Sequence, residues 1–205
     1  SASMSDAVFP TLYLCRHGDT AWSPQRRLAG RTDLLLVEEG FANARQLGQR
    51  LRSIHFDRVL VSPLLRARQT AEMAGYASRS VVDPRLMEMD FGDYDGKTTQ
   101  EIRQTRPGWS YLRDGCPNGE VADDLGKRAD ALLTDLGGHH ENVLLFAHSV
   151  ILRVLTARWL GYPAADGRHF MLSPASLCIL AYDPVEASPT IELWNDLSHL
   201  SGARG

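Results

Sequence analysis

Short apolar runs that alternate with helical patterns constrain the fold of this chain more than any other feature of its sequence. The runs cover residues 11–15, 58–61, 143–147, 176–182 and 190–194, and each has the length of a buried strand. Helical spacing of apolar residues predicts helices over 39–52, 121–136 and 150–160. Because strands that alternate with helices pack as a mainly parallel sheet between helical layers, we expect a three-layer α/β/α sandwich.

The composition of the chain excludes several functional classes. Of its 205 residues, 43% are hydrophobic, and 22 basic against 25 acidic residues leave a formal charge of -3. This balance argues against disorder and against a nucleic-acid-binding surface. Cys15, Cys116 and Cys178 are widely spaced and form no CxxC pair, so neither a disulfide framework nor a thiolate zinc cluster is expected.

The length and the N-terminal sequence bear on domain organisation and location. No linker or repeat divides the chain, so we expect one domain over residues 4–205, with Ser1–Ser3 as the remnant of an expression tag. The N-terminus lacks the basic start and apolar stretch of a secretory signal, and no apolar run approaches the roughly 20 residues of a membrane helix. We therefore expect a cytoplasmic protein without a membrane partner.

Histidine and arginine residues directly follow three of the predicted strands. Arg16-His17-Gly18-Asp19-Thr20 follows the first, Ser62-Pro63-Leu64-Leu65-Arg66 the second, and His148-Ser149 the third. Because ligands bind at the carboxyl ends of parallel strands, these segments are expected to meet at one crevice. Two guanidinium groups there would bind a phosphoryl group or another anion. A histidine beside these cations is expected to be neutral and able to act as a nucleophile.

Four motifs in this order resemble those of the histidine phosphatase superfamily, also called phosphoglycerate-mutase-like. The motifs are Leu14-Cys15-Arg16-His17-Gly18-Asp19-Thr20, Ser62-Pro63-Leu64-Leu65-Arg66-Ala67-Arg68-Gln69-Thr70-Ala71, Glu88-Met89-Asp90-Phe91-Gly92-Asp93-Tyr94-Asp95-Gly96 and the late His148. The match runs from about Leu12 to Leu200. It implies a phosphoglycerate-mutase-like fold and phosphoryl transfer through a histidine.

The resemblance also implies a role for each matching residue. His17 resembles the nucleophile that accepts the phosphoryl group, and Arg16 and Arg66 resemble its phosphate clamps. His148 resembles the second histidine of the site, which binds the transferring group, and Glu88 resembles the proton donor. Water would then attack the phosphohistidine with Glu88 as base. Phosphoryl transfer depends mainly on positioning and charge neutralisation, so no metal or organic cofactor is implied.

Some stretches are most similar to the phosphatase branch, such as sedoheptulose-bisphosphatase-like enzymes and some bacterial acid phosphatases. These stretches are Trp22-Ser23, Phe91–Gly96 and 113–120. Ser23 and Ser149 stand where many members have asparagine and glycine, and both are expected at the phosphate. Ser149 is the larger departure, because its hydroxyl can either crowd the phosphate or donate to it.

Aromatic and basic residues of the later stretch are candidates for the substrate pocket. Trp109 and Tyr111 are expected to form part of its wall. Arg113 is expected to reach a distal charged group of the substrate, such as a second phosphate. This segment is punctuated by glycine and proline, as is typical of an excursion that covers a site.

The sequence therefore predicts a phosphomonoesterase that acts on a small phosphorylated metabolite such as a sugar phosphate or bisphosphate. A phosphoglycerate mutase that requires a bisphosphorylated primer is one alternative. A catalytically weak module that binds a phosphorylated ligand is another, and Ser149 is the feature that favours it. A strand over 190–194 at the edge of the sheet could pair across a two-fold axis in a homodimer.

Overall fold

A computed structural model describes residues 8–201, so the expected tag residues Ser1–Ser3 lie outside the described part. One sheet contains β1 (Thr11–Arg16), β2 (Arg58–Val61), β3 (Ser80–Val82), β4 (Asn142–Ala147), β5 (Leu177–Asp183) and β6 (Ser188–Asp196), in the order β3-β2-β4-β1-β5-β6. β1, β2, β3 and β4 pair in parallel, whereas β5 is antiparallel to both of its neighbours. The expected mainly parallel sheet is confirmed.

Helices connect the strands. They are α1 (Glu38–Leu51), α2 (Leu65–Met73), α3 (Thr99–Arg103), α4 (Tyr111–Asp114), α5 (Ala122–Leu136) and α6 (Ser149–Trp159), with short 3-10 helices at Pro84–Leu86, Gly92–Tyr94 and Ala164–His169. The three helices predicted from apolar spacing correspond to α1, α5 and α6, each within about one residue at either end. None of the helices within 8–201 combines the length and apolar character needed to span a bilayer.

Each face of the sheet packs against its own pair of helices. Leu12 and Leu14 of β1 belong to the core that contains α5 and α6, whereas Cys15 belongs to the core that contains α1 and α2. This alternation follows from the two-residue period of a strand, and apolar residues on both faces explain why the central strands are buried. The predicted three-layer α/β/α arrangement is therefore confirmed.

Two details differ from the sequence-based expectations. The apolar spacing over residues 39–52 predicts that Phe41 faces the core together with Ala44 and Leu47. Phe41 is only half-buried, because the buried side of α1 passes instead through Gly40, Ala44 and Leu47. The short strand β3 was not predicted, since it has three residues and its two valines are exposed. Such a short edge strand carries no alternating pattern, and its pairing with β2 defines it.

The strand register places the three predicted segments side by side. Arg16 pairs with Ala147, and Val61 pairs with Phe146, so β1, β4 and β2 end at the same edge. The backbone ladder continues one residue further, where His17 N–H donates to Ala147 O at 3.0 Å and Ser62 N–H donates to Phe146 O at 3.0 Å. The residues after these strands therefore meet at the carboxyl edge of the sheet.

Candidate active site

A cavity of about 450 Å³ opens at this carboxyl edge. It is lined by Arg16, His17, Asp19, Thr20, Trp22, Ser23, Pro24, Arg26, Arg27, Leu28, Ala29, Glu88, Phe91, Tyr111, Ser149, Val150, Leu172, Ser173 and Pro174. Its size is that of a site for a small organic molecule. The lining includes several of the residues predicted from sequence, and it mixes cationic, polar and aromatic side chains.

His17 lies directly after β1 and is almost fully buried. Its Nδ1 atom is 2.7 Å from the Gly18 carbonyl oxygen, which can only accept, so Nδ1 carries the proton and Nε2 keeps a lone pair. Burial lowers the pKa of His17 well below its usual value, and the nearby Arg66 and Arg16 guanidiniums lower it further. The imidazole is therefore neutral at physiological pH, with Nε2 available as a nucleophile.

Close backbone packing holds the loop that follows His17. A Cβ atom at Gly18 would lie 2.6 Å from the Gly40 carbonyl oxygen, so only glycine fits between β1 and the first turn of α1. Gly18 N–H donates to Thr70 Oγ1 at 3.0 Å, and that hydroxyl donates to Arg66 O at 2.7 Å. Helices α1 and α2 thus fix the position of His17.

Two arginines, the half-buried Arg16 and the fully buried Arg66, lie near the two histidines. Arg16 donates through Nη1 to Leu172 O, and Arg66 donates to the carbonyls of Thr32, Ala29 and Gly30 at 2.8 to 2.9 Å. The Nε atoms of both are buried without a partner in the described chain. Buried donors are rarely left unpaired, and a phosphate oxygen would satisfy either one. Arg16 lines the cavity, whereas Arg66 lies in the first turn of α2 and is fully buried.

His148 is the residue directly before α6 and lies beside His17, with 5.2 Å between the ring centroids. Its Nε2 is 2.7 Å from Ser62 Oγ, and its Nδ1 is buried without a partner among residues 8–201. Burial lowers the pKa of His148 well below its usual value, with a further contribution from Arg66. The ring is neutral, so its hydrogen-bond partner decides which nitrogen carries the proton.

Ser62 contacts His148, although the sequence reasoning assigned it no role. Its side chain is fully buried, and its oxygen also accepts the Leu64 N–H at 3.3 Å. When the Ser62 hydroxyl donates to His148 Nε2, the proton of His148 resides on Nδ1. The sequence feature that could have identified Ser62 is its position immediately after β2, at the same sheet edge as His17 and His148.

Glu88 is buried on the cavity wall and is held by the backbone. Its Oε1 accepts the N–H groups of Met89 at 2.9 Å and Ile151 at 3.0 Å, while Oε2 accepts that of Val150 at 3.1 Å. Two of these donors belong to the first turn of α6, where the helix dipole favours an acceptor. The carboxyl group therefore has a defined position in the same cavity as His17.

The two serines singled out from the sequence both line the cavity. Ser23 Oγ accepts the Thr20 N–H at 3.0 Å, so this side chain stabilises the turn after the first motif. Ser149 is the first residue of α6 and is half-buried. Ser149 therefore borders the same cavity as Glu88, at the N-terminus of α6.

The structure does not bring Arg113 to the cavity. Its Nη2 donates to Gly108 O at 3.0 Å at an exposed position. Tyr111 lines the cavity as expected, and residues two apart on a helical turn point in opposite directions, which directs Arg113 away. Trp109 also lies outside the lining, because its ring is buried and its Nε1–H donates to Gly115 O at 2.8 Å.

Other cavity residues were not predicted to contact substrate. Trp22, Arg26 and Arg27 enter the lining from the turn that follows the first motif. Asp19 also borders the cavity, and burial together with Glu39 raises the pKa of its carboxyl group. Within residues 8–201 no group of three or more histidine, cysteine or acidic side chains is arranged to hold a metal ion.

The fold and the site together define the class of the protein. The model of the histidine phosphatase superfamily (branch 1) matches residues 12–197, so the chain belongs to this superfamily. The expected class, an enzyme of the histidine phosphatase superfamily with phosphatases among its relatives, is confirmed.

Individual relatives cover nearly the whole chain. An acid phosphatase of Mycobacterium tuberculosis is 35% identical over 176 residues, which are 84% of this chain and 86% of that protein. A probable phosphoglycerate mutase of Enterobacter sp. (strain 638) is 33% identical over 202 residues, which are 92% of this chain and 94% of that protein. The solved structure of a Mycobacterium tuberculosis open-reading-frame product has a TM-score of 0.84 and 33% identity, covering 90% of this chain and 96% of that one.

Proposed function

We propose that this protein is a phosphomonoesterase that works through a phosphohistidine on His17 and needs no metal ion. The observation that carries the proposal is a neutral His17 whose Nε2 is free, in a cavity that also contains Arg16 and Glu88. A nucleophile, an anion clamp and a proton carrier are the parts that phosphoryl transfer requires.

In the first step, His17 Nε2 attacks the phosphorus atom and the bond to the substrate alcohol breaks. Arg16 and Arg66 neutralise the charge on the phosphoryl oxygens, and the Nδ1–H of the neutral His148 donates a hydrogen bond to one of them. The protonated carboxyl group of Glu88 delivers its proton to the leaving alkoxide, so a neutral alcohol departs. The Gly18 carbonyl accepts the Nδ1–H of His17 and stabilises the positive charge that develops on the ring.

In the second step, water attacks the phosphorus atom of phosphohistidine. Glu88, now ionised, accepts a proton from the water, and the bond between phosphorus and His17 Nε2 breaks. Inorganic phosphate leaves, and both His17 and Glu88 return to their initial protonation states. The backbone donors that hold Glu88 keep it in one position through both steps.

The substrate that fits this proposal is a small phosphorylated metabolite, such as a sugar phosphate or bisphosphate. A cavity of about 450 Å³ has room for a phosphoryl group and a small alcohol. The relative named as an acid phosphatase supports hydrolysis. A cytoplasmic location, a single domain over residues 4–205 and a homodimer paired through β6 remain predictions.

Mutase activity is a second candidate, because one relative is named a probable phosphoglycerate mutase. A mutase would require a bisphosphorylated primer and would return the phosphoryl group to an alcohol rather than to water. A non-catalytic binding module is the third candidate, and the hydroxyl of Ser149 at the cavity is the feature that favours it.

Phosphate release from a panel of phosphomonoesters in the presence of a metal chelator tests the proposal. His17→Ala should lower the rate by at least about 10³-fold, whereas His139→Ala, at an exposed position, should leave it unchanged. Faster isomerisation than hydrolysis of 3-phosphoglycerate with primer would support a mutase instead. Vanadate binding without release of phosphate from any ester would support a binding module.

A further inference from the structure

Arg26 supplies a cation to the cavity that the phosphoryl chemistry does not use. It lines the same cavity as His17 and Glu88, but it comes from the turn between β1 and α1 rather than from a strand end. The neighbouring Arg27 also lines the cavity, and it donates to Gln25 Oε1 at 2.5 Å and to Gly96 O at 3.1 Å. Arg26 has no comparable side-chain partner within residues 8–201.

Packing does not account for arginine at position 26. The side chain is exposed, and its backbone has φ +54°, a left-handed conformation that favours glycine. Its N–H closes the turn by donating to Ser23 O at 3.1 Å, a bond that any residue other than proline could make. What arginine adds at this position is an exposed guanidinium group on a residue that lines the cavity.

The charges in the cavity show where this cation can act. In the proposed function, the phosphoryl group is bound by Arg66, which is fully buried, and by Arg16, which is half-buried, and both lie near His17. Arg26 belongs instead to the exposed part of the lining, which also contains Pro24 and Arg27. The alcohol portion of a bound ester would extend between these two regions, because the buried histidines close off the inner end.

We infer that Arg26 binds a second anionic group, a carboxylate or a phosphate, on the alcohol portion of the substrate. This inference rests on the proposed function, and it narrows the substrates to phosphomonoesters that carry a distal negative charge. Arg26 takes the role that the sequence suggested for Arg113, which lies outside the cavity. A guanidinium can pair with either anion through two parallel hydrogen bonds.

Binding measurements on a His17→Ala background test this inference without turnover. Isothermal titration calorimetry compares 3-phosphoglycerate with glycerol 3-phosphate, which replaces the carboxylate by a hydroxymethyl group. A second pair compares fructose 1,6-bisphosphate with fructose 6-phosphate. Adding Arg26→Gly, which suits the φ of this position, should reduce the preference for the more anionic member by about tenfold. The control Arg113→Gln should leave that preference unchanged.

The outcomes separate this inference from the proposed function. If Arg26→Gly weakens only the preference for 3-phosphoglycerate over glycerol 3-phosphate, the distal group is a carboxylate. If it weakens only the preference for fructose 1,6-bisphosphate over fructose 6-phosphate, the distal group is a phosphate. The preference should also weaken as salt is added, because Arg26 is exposed. If Arg26→Gly leaves both preferences unchanged, or if neither pair binds, the inference is refuted. If the esters bind but the enzyme with intact His17 releases no phosphate, the proposed function fails and the anion-binding role of Arg26 stands.

Discussion

Gly40→Ala tests how α1 positions the loop that follows His17. In a helix, alanine is ordinarily more favourable than glycine by about 1 kcal/mol. At position 40, however, a Cβ atom would meet the Asp19 carbonyl oxygen well inside the 3.0 Å limit for such contacts, and it would lie 3.0 Å from Asp19 N. The two backbones must therefore separate by about half an ångström, which is the kind of overpacking that costs about 1–3 kcal/mol.

The same displacement affects a hydrogen bond and the nucleophile. Asp19 O accepts the Val37 N–H at 3.0 Å, and weakening this bond adds about 1 kcal/mol to the cost. The clash therefore outweighs the helix propensity, and we expect a net loss of about 1–3 kcal/mol in the free energy of unfolding. Because Asp19 is two residues from His17, kcat should fall by at least about tenfold.

Urea unfolding and steady-state hydrolysis of an aryl phosphate measure the two effects. Gln49→Ala, at an exposed position of the same helix, serves as the control and should change stability by less than about 0.5 kcal/mol. A Gly40→Ala protein that is as stable as the parent and equally active would refute the reasoning. It would mean that α1 can move away from the loop without disturbing the site.

Three further predictions concern the catalytic groups. Ser62→Ala removes the hydrogen bond to His148 and should lower kcat about tenfold and shift the ¹⁵N resonances of the His148 ring. The control Ser176→Ala removes a buried hydroxyl that has no partner in the described chain, and it should change neither kcat nor these resonances. Glu88→Gln should slow the hydrolysis of alkyl phosphates at least about tenfold more than that of aryl phosphates, and equal losses would contradict a proton donor. His17 and His148 have lowered pKa values when folded, so below about pH 6.5 the unfolded chain binds more protons and stability falls. From pH 7.0 to 5.5 this loss is at most about 1.3 kcal/mol per histidine, and the stability of His148→Gln in urea unfolding should fall less over this range than that of the parent protein.

Much of the fold and part of the site could be predicted from local sequence. Strands and helices of this kind have periods of about 2 and 3.6 residues, so five strands and three helices are visible as patterns of apolar residues. The residues that follow the strands were identifiable for the same reason, since the carboxyl ends of parallel strands share an edge. His17 and His148 are both found there, with rings 5.2 Å apart.

The partners of these residues depend on contacts between distant segments. Glu88 is held by the N-terminus of α6, more than sixty residues later in the chain, and Ser62 meets His148 across the sheet edge. Neither contact leaves a local pattern, because each depends on strand register and helix position. Strand register and helix position likewise decide whether a basic side chain faces the cavity.

The sequence by itself determined the class of fold through its periodicity, and it placed His17, Arg16, Arg66 and His148 together because they follow strand ends. The family and the candidate Glu88 were indicated by the resemblance of the motifs to the histidine phosphatase superfamily. Only the tertiary structure decided which nitrogen of His17 is free and how Glu88 is held. It also decided that Arg26, rather than Arg113, borders the cavity. The physical reason is that side-chain direction within a turn or a short helix depends on packing against residues far away in the chain, and sequence spacing does not encode it.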